Sequence, residues 1–263
     1  MIIATYNVNS INARLENLLE WLNKNRPDIM LLQEIKTEFN AFPFLELRAA
    51  GYEAEILGQK SYNGVAVLSR HKIKVRERGL PGIEDESARY LEAEIDDGRQ
   101  GCIAAAVYLP NGNPPYNSPE DDSRYAYKLR WMEALYAHAE KLLELRRPVI
   151  LGGDFNVIMT DRDVYAPDEY RGNALFREEV KQRLAALQYL GFYDAFRLLH
   201  PQENGYTYWD YAGAALQNDF GMRIDYLFLS PDAADRLKSC EVDKAPRLGG
   251  KPSDHTVLKA ELE

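Results

Sequence analysis

Short apolar runs that stop abruptly on a polar side chain constrain this 263-residue chain more than any other feature. In PVILGGDFNV the run Val149 to Leu151 ends on two glycines, then Asp154, Phe155 and Asn156. Such a run is short and apolar throughout, which suits a strand buried on both faces. A carboxylate delivered at the end of a buried strand needs partners, because an unpaired buried charge is costly. The pattern recurs. IIATYN ends on Asn7 with Asn9 two residues on, PDIMLLQE on Glu34 and CIAAAVY on Tyr108; RIDYLFLS contains Asp225, and Asp254 and His255 precede TVLKAEL. Each has an ordinary explanation taken alone, since asparagine and aspartate make turns and caps, and Glu34 or His255 could be solvated. All of those explanations would have to hold together. One shared polar site is the simpler reading.

Helical patterns are fewer. ARLENLLEWLNK puts Leu15, Leu18, Leu19 and Leu22 on one helical face, with Asn12 placed to cap it. A long helix is predicted over Arg124 to Leu145, its stripe formed by Leu129, Met132, Leu135, Tyr136, Ala139, Leu142 and Leu143, and another near Phe176 to Leu190. Asp97-Gly98 between RYLEAEI and CIAAAVY reads as a hairpin turn. GVAVLSR after Asn63-Gly64, the aromatic YTYWDY and a last pair around CEV and TVLKAEL add further strands. The piece from about Asn111 to Ser123, with Pro114, Pro115, Pro119 and three consecutive acids, reads as a surface loop. Strands recur too often for an alternating barrel. The expectation is one domain spanning 1–263, with two packed mixed sheets and helices outside.

The charge balance, 41 acids against 32 bases and a net −9, argues against an all-over cationic surface. Contact with an anion must then be local. The densest basic run is RHKIKVRER, Arg70 to Arg78, which reads equally as part of a binding groove or as a solvated strand face. Cys102 and Cys240 lie far apart with no apolar leader, which suits a cytoplasmic protein with free thiols. No run reaches the roughly 18 apolar residues of a membrane span, and the lack of CxxC or clustered histidines argues against zinc.

The motifs ATYNVNSINARL, LLQEIK, YNGVAVLS, VYLPNG, LGGDFNV, RIDYLFLS and PSDHTVL occur in this order across essentially the whole chain. In that order they resemble the exonuclease III family of abasic-site endonucleases, within the endonuclease/exonuclease/phosphatase superfamily. GDFN and SDH mark only the superfamily; QKSYNGVA, YLPNG and YTYWDY before RIDY point to the DNA-repair branch. The resemblance implies an α/β fold, a four-layer sandwich of two mixed, mostly antiparallel β-sheets packed face to face and flanked by helices. It implies a magnesium-dependent monomer that cleaves duplex DNA 5′ to abasic sites and trims 3′ ends. A phosphoinositide phosphatase or sphingomyelinase of the same superfamily is the competing reading, which would want a lipid-facing apolar loop or an anchor.

Magnesium takes oxygen ligands and keeps several waters, so one or two carboxylates suffice; manganese could substitute. Glu34 is the best ligand, with Asn7 as its carboxamide neighbour and Asp254 and Asn9 as further candidates. By resemblance His255, oriented by Asp225, donates to the phosphate or accepts from the nucleophile, and Tyr108 touches the phosphate or leaving oxygen. Asp154 is assigned as the general base, with Asn156 as donor neighbour and phosphate contact. Gly152 and Gly153 let the backbone approach closely behind them. Tyr208, Met222 and Ile224 match the family's apolar pocket for a bare deoxyribose, while Trp209, on the opposite strand face, is expected in the core. Arg89, Asn111 and Lys128 match positions near the DNA backbone.

Overall fold

The computed structural model describes residues 1–115 and 117–263, so Tyr116 in the expected surface loop lies outside the described residues. The first half runs β1 (Ile2–Asn7), α1 (Leu15–Asn25), β2 (Ile29–Gln33), α2 (Phe44–Ala49), β3 (Glu53–Leu57) and β4 (Val65–Ser69). There follow β5 (Lys72–Arg78), β6 (Tyr90–Asp96), β7 (Cys102–Tyr108), α3 (Ser123–Glu144) and β8 (Val149–Asp154). The remainder comprises α4 (Pro167–Tyr170), α5 (Glu178–Leu190), β9 (Tyr193–Asp194), α6 (Ala195–Leu199), β10 (Tyr208–Trp209), β11 (Gly221–Met222) and β12 (Asp225–Leu229). It closes with α7 (Pro231–Ala234), β13 (Leu237–Asp243), α8 (Ala245–Leu248) and β14 (Val257–Leu262).

Two six-stranded sheets carry the fold, in the orders β13-β14-β1-β2-β4-β3 and β5-β6-β7-β8-β12-β9. Each holds a central parallel pair, β1 with β2 and β7 with β8, and the other pairings are antiparallel. Parallel neighbours need a crossover, and α1 and α3 supply it. These four strands are buried almost throughout, which is why they read as unbroken apolar runs. Side chains such as Leu31, Val67, Ala104, Ile150 and Leu227 fill the space between the sheets. A second apolar layer joins the first sheet to α1 and α2, and a third joins the second sheet to α3 and α5. The result is the four-layer sandwich.

Both glycines at the end of β8 are required by packing. A Cβ on Gly152 would lie 2.6 Å from Leu31 Cδ1 of the facing sheet and 2.7 Å from Leu227 Cδ2, and one on Gly153 would lie 1.8 Å from the Val107 carbonyl oxygen of β7. Packed side chains on either side, then, select Gly152, and the backbone of the neighbouring strand β7 selects Gly153.

Several local expectations shift. Asn12 does not cap α1; its Nδ2 instead donates to the Ala41 carbonyl at 3.1 Å, and Arg14 holds the cap position. YTYWDY contributes only the two residues of β10, which pair with β11 in a ribbon outside both sheets. The buried face of α3 includes Lys128, Trp131 and His138, whereas Tyr136 is exposed. Hydrophobicity alone misses such a face because its polar members are satisfied internally. The basic run forms β5, an edge strand two places from β7, where Arg76 and Arg78 pair with Glu92 and Glu55. Much of the strand is solvated, and cations on an edge strand discourage edge-to-edge pairing. Cys102 and Cys240 are free and buried.

The fully buried Glu92 accepts from Arg76 Nε at 2.7 Å, Tyr90 OH at 2.7 Å and His138 Nε2 at 2.6 Å, tying β5, β6 and α3 together. Burial works against its charge, but the three donors outweigh burial and hold the carboxyl below its ordinary value of 4.5. A depressed folded pKa contributes stability that is present above 4.5 and lost as pH falls through the folded value. Chemical denaturation at a series of pH values should therefore show a smaller acid-side loss of stability in Glu92→Gln than in wild type. In the same assay Gly153→Ala should lose about 1–3 kcal/mol or more, the usual cost of overpacking.

Candidate active site

Two parallel pairs determine where the polar strand ends go. β1 and β2 run in register to Asn7 opposite Gln33, and β7 and β8 to Tyr108 opposite Asp154. In open α/β sheets the crevice beyond the carboxyl ends of parallel strands is where ligands bind. Asp225 begins β12 directly across from Asp154, and Tyr208 bridges to His255 just before β14. The strand ends converge.

Asn7 joins the two sheets. Its Nδ2 donates to Glu34 Oε1 at 2.9 Å and to Asp154 Oδ2 at 3.0 Å, while Tyr108 OH donates to Glu34 Oε1 at 2.9 Å. Burial disfavours the charge on Glu34, yet hydrogen bonds from Asn7 and Lys36 prevail and keep its carboxyl below the ordinary range. Glu34 sits at φ 51°, Lys36 at 51° and Asn156 at 48°, left-handed conformations that cluster at constrained sites. The Glu34 turn is held from outside, because Ile35 and Lys36 N–H donate to the Gly64 and Asn63 carbonyls.

His255 Nδ1 lies 2.8 Å from Asp225 Oδ2, and its Nε2 lies 3.7 Å from Asp154 Oδ2. Burial favours the neutral ring, but Asp225 in contact and Asp154 nearby overcome this and raise its pKa to about 10. His255 is then favoured as the imidazolium at neutral pH, a form in which both ring nitrogens carry a proton. Burial pushes Asp154 the other way from its ordinary 3.8, to about 7, with the imidazolium opposing and Asp225 and Glu34 adding to the rise. A carboxylate poised near neutrality suits proton abstraction. Asn156 N–H steadies it from Oδ1 at 2.9 Å.

Around this centre Asn156 Nδ2 donates to the Leu109 carbonyl and its Oδ1 accepts from Asn111, so one amide N–H of Asn156 remains for a ligand. Arg89 lays its guanidinium 4.7 Å from the centroid of the Tyr108 ring. Tyr208 and Met222 are cross-strand partners, half-buried over Val164, Leu175 and Ile224, and the Tyr208 ring meets the His255 ring edge-on at 5.0 Å. Ile224 itself is buried, beneath the patch and not at its surface, and Trp209 is in the core as expected. Asn9 is committed at both ends, accepting from Lys36 at 2.6 Å and donating to Asp254 at 3.1 Å.

Lys128 requires a correction. It is fully buried and its ammonium donates to three backbone carbonyls, so it has no N–H left for DNA phosphate. Two further residues of the site escaped the sequence reading. Lys36 pairs with Glu34 Oε2 at 2.8 Å, and Ser253 Oγ donates to the Asn7 carbonyl at 2.7 Å. Lys36 stands two residues beyond Glu34 in LLQEIK, and Ser253 is the serine of the SDH motif beside Asp254 and His255; those motifs were the available signals.

The donor set fits a hard divalent cation. Glu34, Asp154, Asp225 and Asp254 give four carboxylates against two cations, Lys36 and His255, an excess of two negative charges. Asp225 Oδ1 is buried without a partner. Among the described residues no three histidine, cysteine or acidic side chains form a ready metal cage. Magnesium does not demand one, since it retains waters and adds substrate phosphate.

A sequence model of the endonuclease/exonuclease/phosphatase family matches residues 4–255. The chain belongs to this family. Exodeoxyribonuclease III of Haemophilus influenzae is 30% identical over 267 residues, with 98% of each chain covered. An AP endonuclease from Archaeoglobus fulgidus superposes with a TM-score of 0.91 at 36% identity, covering 100% of this chain and 99% of its own. The 3′ phosphatase NExo from Neisseria, bound to a product DNA hairpin, gives 0.91 at 35% identity with the same coverage. The family's open-ended double sheet is the fold described above.

Asp225→Asn should keep the His255 contact while removing the charge that stabilises the imidazolium. Turnover should fall by about two to four orders of magnitude, the range for losing proton-transfer competence, and the His255 ring should titrate at lower pH by NMR.

Proposed function

We propose that this protein is a magnesium-dependent DNA-repair phosphodiesterase, an apurinic/apyrimidinic endonuclease that cleaves duplex DNA 5′ to abasic sites and also trims 3′ ends. The observation that carries the reading is the Asn7 carboxamide held between Glu34 and Asp154, with the His255 imidazolium 3.7 Å from the same Asp154 oxygen. That arrangement supports reading Glu34 as the metal-type carboxylate, Asp154 as the base and His255 as the cationic donor.

Hydrolysis of a phosphodiester builds charge on the non-bridging oxygens and on the departing alkoxide. Asp154 takes the proton from the attacking water as its oxygen approaches phosphorus. His255, fixed by Asp225, donates from Nε2 to a non-bridging oxygen, and the free N–H of Asn156 donates to another. Tyr108, whose pKa burial and the neighbouring Glu34 and Asp154 charges drive well above its ordinary 10, stays protonated and offers its OH near the leaving oxygen. Glu34, with Asn7 and Asp254 beside it, would hold a magnesium ion, or manganese in its place, which would supply positive charge against the phosphate.

Selectivity for a missing base follows from the patch beside His255. Tyr208 and Met222 over the buried Ile224 present an apolar surface suited to a bare deoxyribose, and extrusion costs least where no base has to be unstacked. Arg89 and Asn111 stand next to Tyr108 and Asn156 and suit phosphate contact on either side. The net −9 means that DNA is held by such local groups and not by overall charge. The relatives, an exodeoxyribonuclease, an AP endonuclease and a 3′ phosphatase bound to DNA, support a DNA substrate over a lipid one. No helix among the described residues is long and apolar enough to cross a membrane.

A duplex oligonucleotide carrying a single tetrahydrofuran lesion should be cut at the lesion in magnesium, with no internal cut in an intact duplex and a phosphoinositide left untouched. Activity in excess chelator equal to that in magnesium would rule out the metal mechanism. Asp154→Asn should lower turnover by about 10²–10⁴-fold with DNA affinity largely kept; unchanged turnover would remove Asp154 as the base.

A further inference from the structure

We propose that Lys128 is a positioning residue whose ammonium locks the strand-end loops that carry Asn111 and Asn156, and through Asn156 orients the Asp154 carboxylate. This goes beyond the activity above and rests on Asp154 being its base. Lys128 lies in the second turn of α3 with no solvent exposure. Its Nζ donates to the carbonyls of Asn111 at 3.0 Å, Asn156 at 2.6 Å and Ala174 at 3.1 Å, which uses all three N–H bonds of an ammonium group. The acceptors follow β7, follow β8 and precede α5, three loops that no strand ladder holds together. Asn156 is the connecting link. Its carbonyl meets Lys128, its N–H meets Asp154 Oδ1, and its φ of 48° is one that an unrestrained residue seldom keeps.

Packing alone does not explain a lysine here. Among the described residues no carboxylate pairs with it; burial works against its charge, the Asp154 charge opposes that, and the three carbonyl acceptors together need the ammonium form. A leucine or methionine would fill the space without burying a charge. What an aliphatic side chain cannot do is donate in three directions from one atom. The loop is also shaped to the stem, since a Cβ on Gly112, at φ 86°, would lie 2.6 Å from Lys128 Cδ.

The test uses the full-length protein on the tetrahydrofuran duplex in magnesium, comparing wild type, Lys128→Met and Lys128→Ala. Lys128→Met should lower kcat by about 10²-fold, the cost of a small misplacement of catalytic groups, with KM little changed, and should speed exchange of the Asn156 amide proton while amides in β1 and β2 keep their protection. In Lys128→Ala, added methylammonium or ethylammonium should restore kcat, whereas tetramethylammonium, a cation with no N–H, should not. A raised KM at unchanged kcat would make Lys128 a substrate contact and overturn the proposal, as would wild-type kcat or unaltered Asn156 exchange. If Lys128→Met does not fold, Gly112→Ala, which displaces the stem, should show the same kcat loss and amide exposure; wild-type behaviour there overturns it too. A wild-type protein that does not cut the lesion would instead sink the endonuclease reading, and the exchange experiment would still judge Lys128.

Discussion

The site depends on two sheets packed closely enough for a single carboxamide to span them. Asn7 ends a strand of one sheet and Asp154 ends a strand of the other, and the amide nitrogen between them lies 3.0 Å from the Asp154 carboxylate. Gly152 helps the sheets pack at this separation, because a side chain there would collide with the Leu31 side chain of the facing sheet and with Leu227 on the neighbouring strand. Once that approach is fixed, Glu34, Tyr108, Asp225 and His255 come within reach without any long loop having to fold back.

Such concentration of charge would be unstable if unbalanced. Four carboxylates face two cations, and the excess is moderated by burial pushing Asp154 toward its protonated form and by hydrogen bonds keeping Glu34 ionised. Neighbouring carboxyl groups are thus driven apart in pKa by their environments, Glu34 downward and Asp154 upward. Asp225 completes the division by holding His255 as a cation.

The second sheet repeats the logic at longer range. Glu92 ties β5 and β6 to α3 through His138, and Lys128, ten residues earlier on the same helix, ties three loops to the site. Both are buried charges satisfied by several donors or acceptors and not by apolar packing. The long helix therefore does more than cover the sheet; it carries polar anchors inward, one toward the edge of the sheet and one toward the chemistry.

Much of this was legible along the chain. Apolar runs that end on Asn7, Glu34, Tyr108 and Asp154 state which strands are buried and where they stop, because strand burial on both faces leaves polar groups nowhere else to go. Residue identity likewise set the glycines of β8 and the Asp97-Gly98 turn. Pairing and direction were not written locally. Whether Arg76 met DNA or Glu92, whether Lys128 faced solvent or three carbonyls, and whether YTYWDY formed a full strand or two residues of ribbon depended on contacts between segments distant in sequence. Hydrogen-bond partners and local dielectric are properties of the packed chain, so only tertiary structure could raise the pKa of His255 beside Asp225 and that of Asp154 by burial.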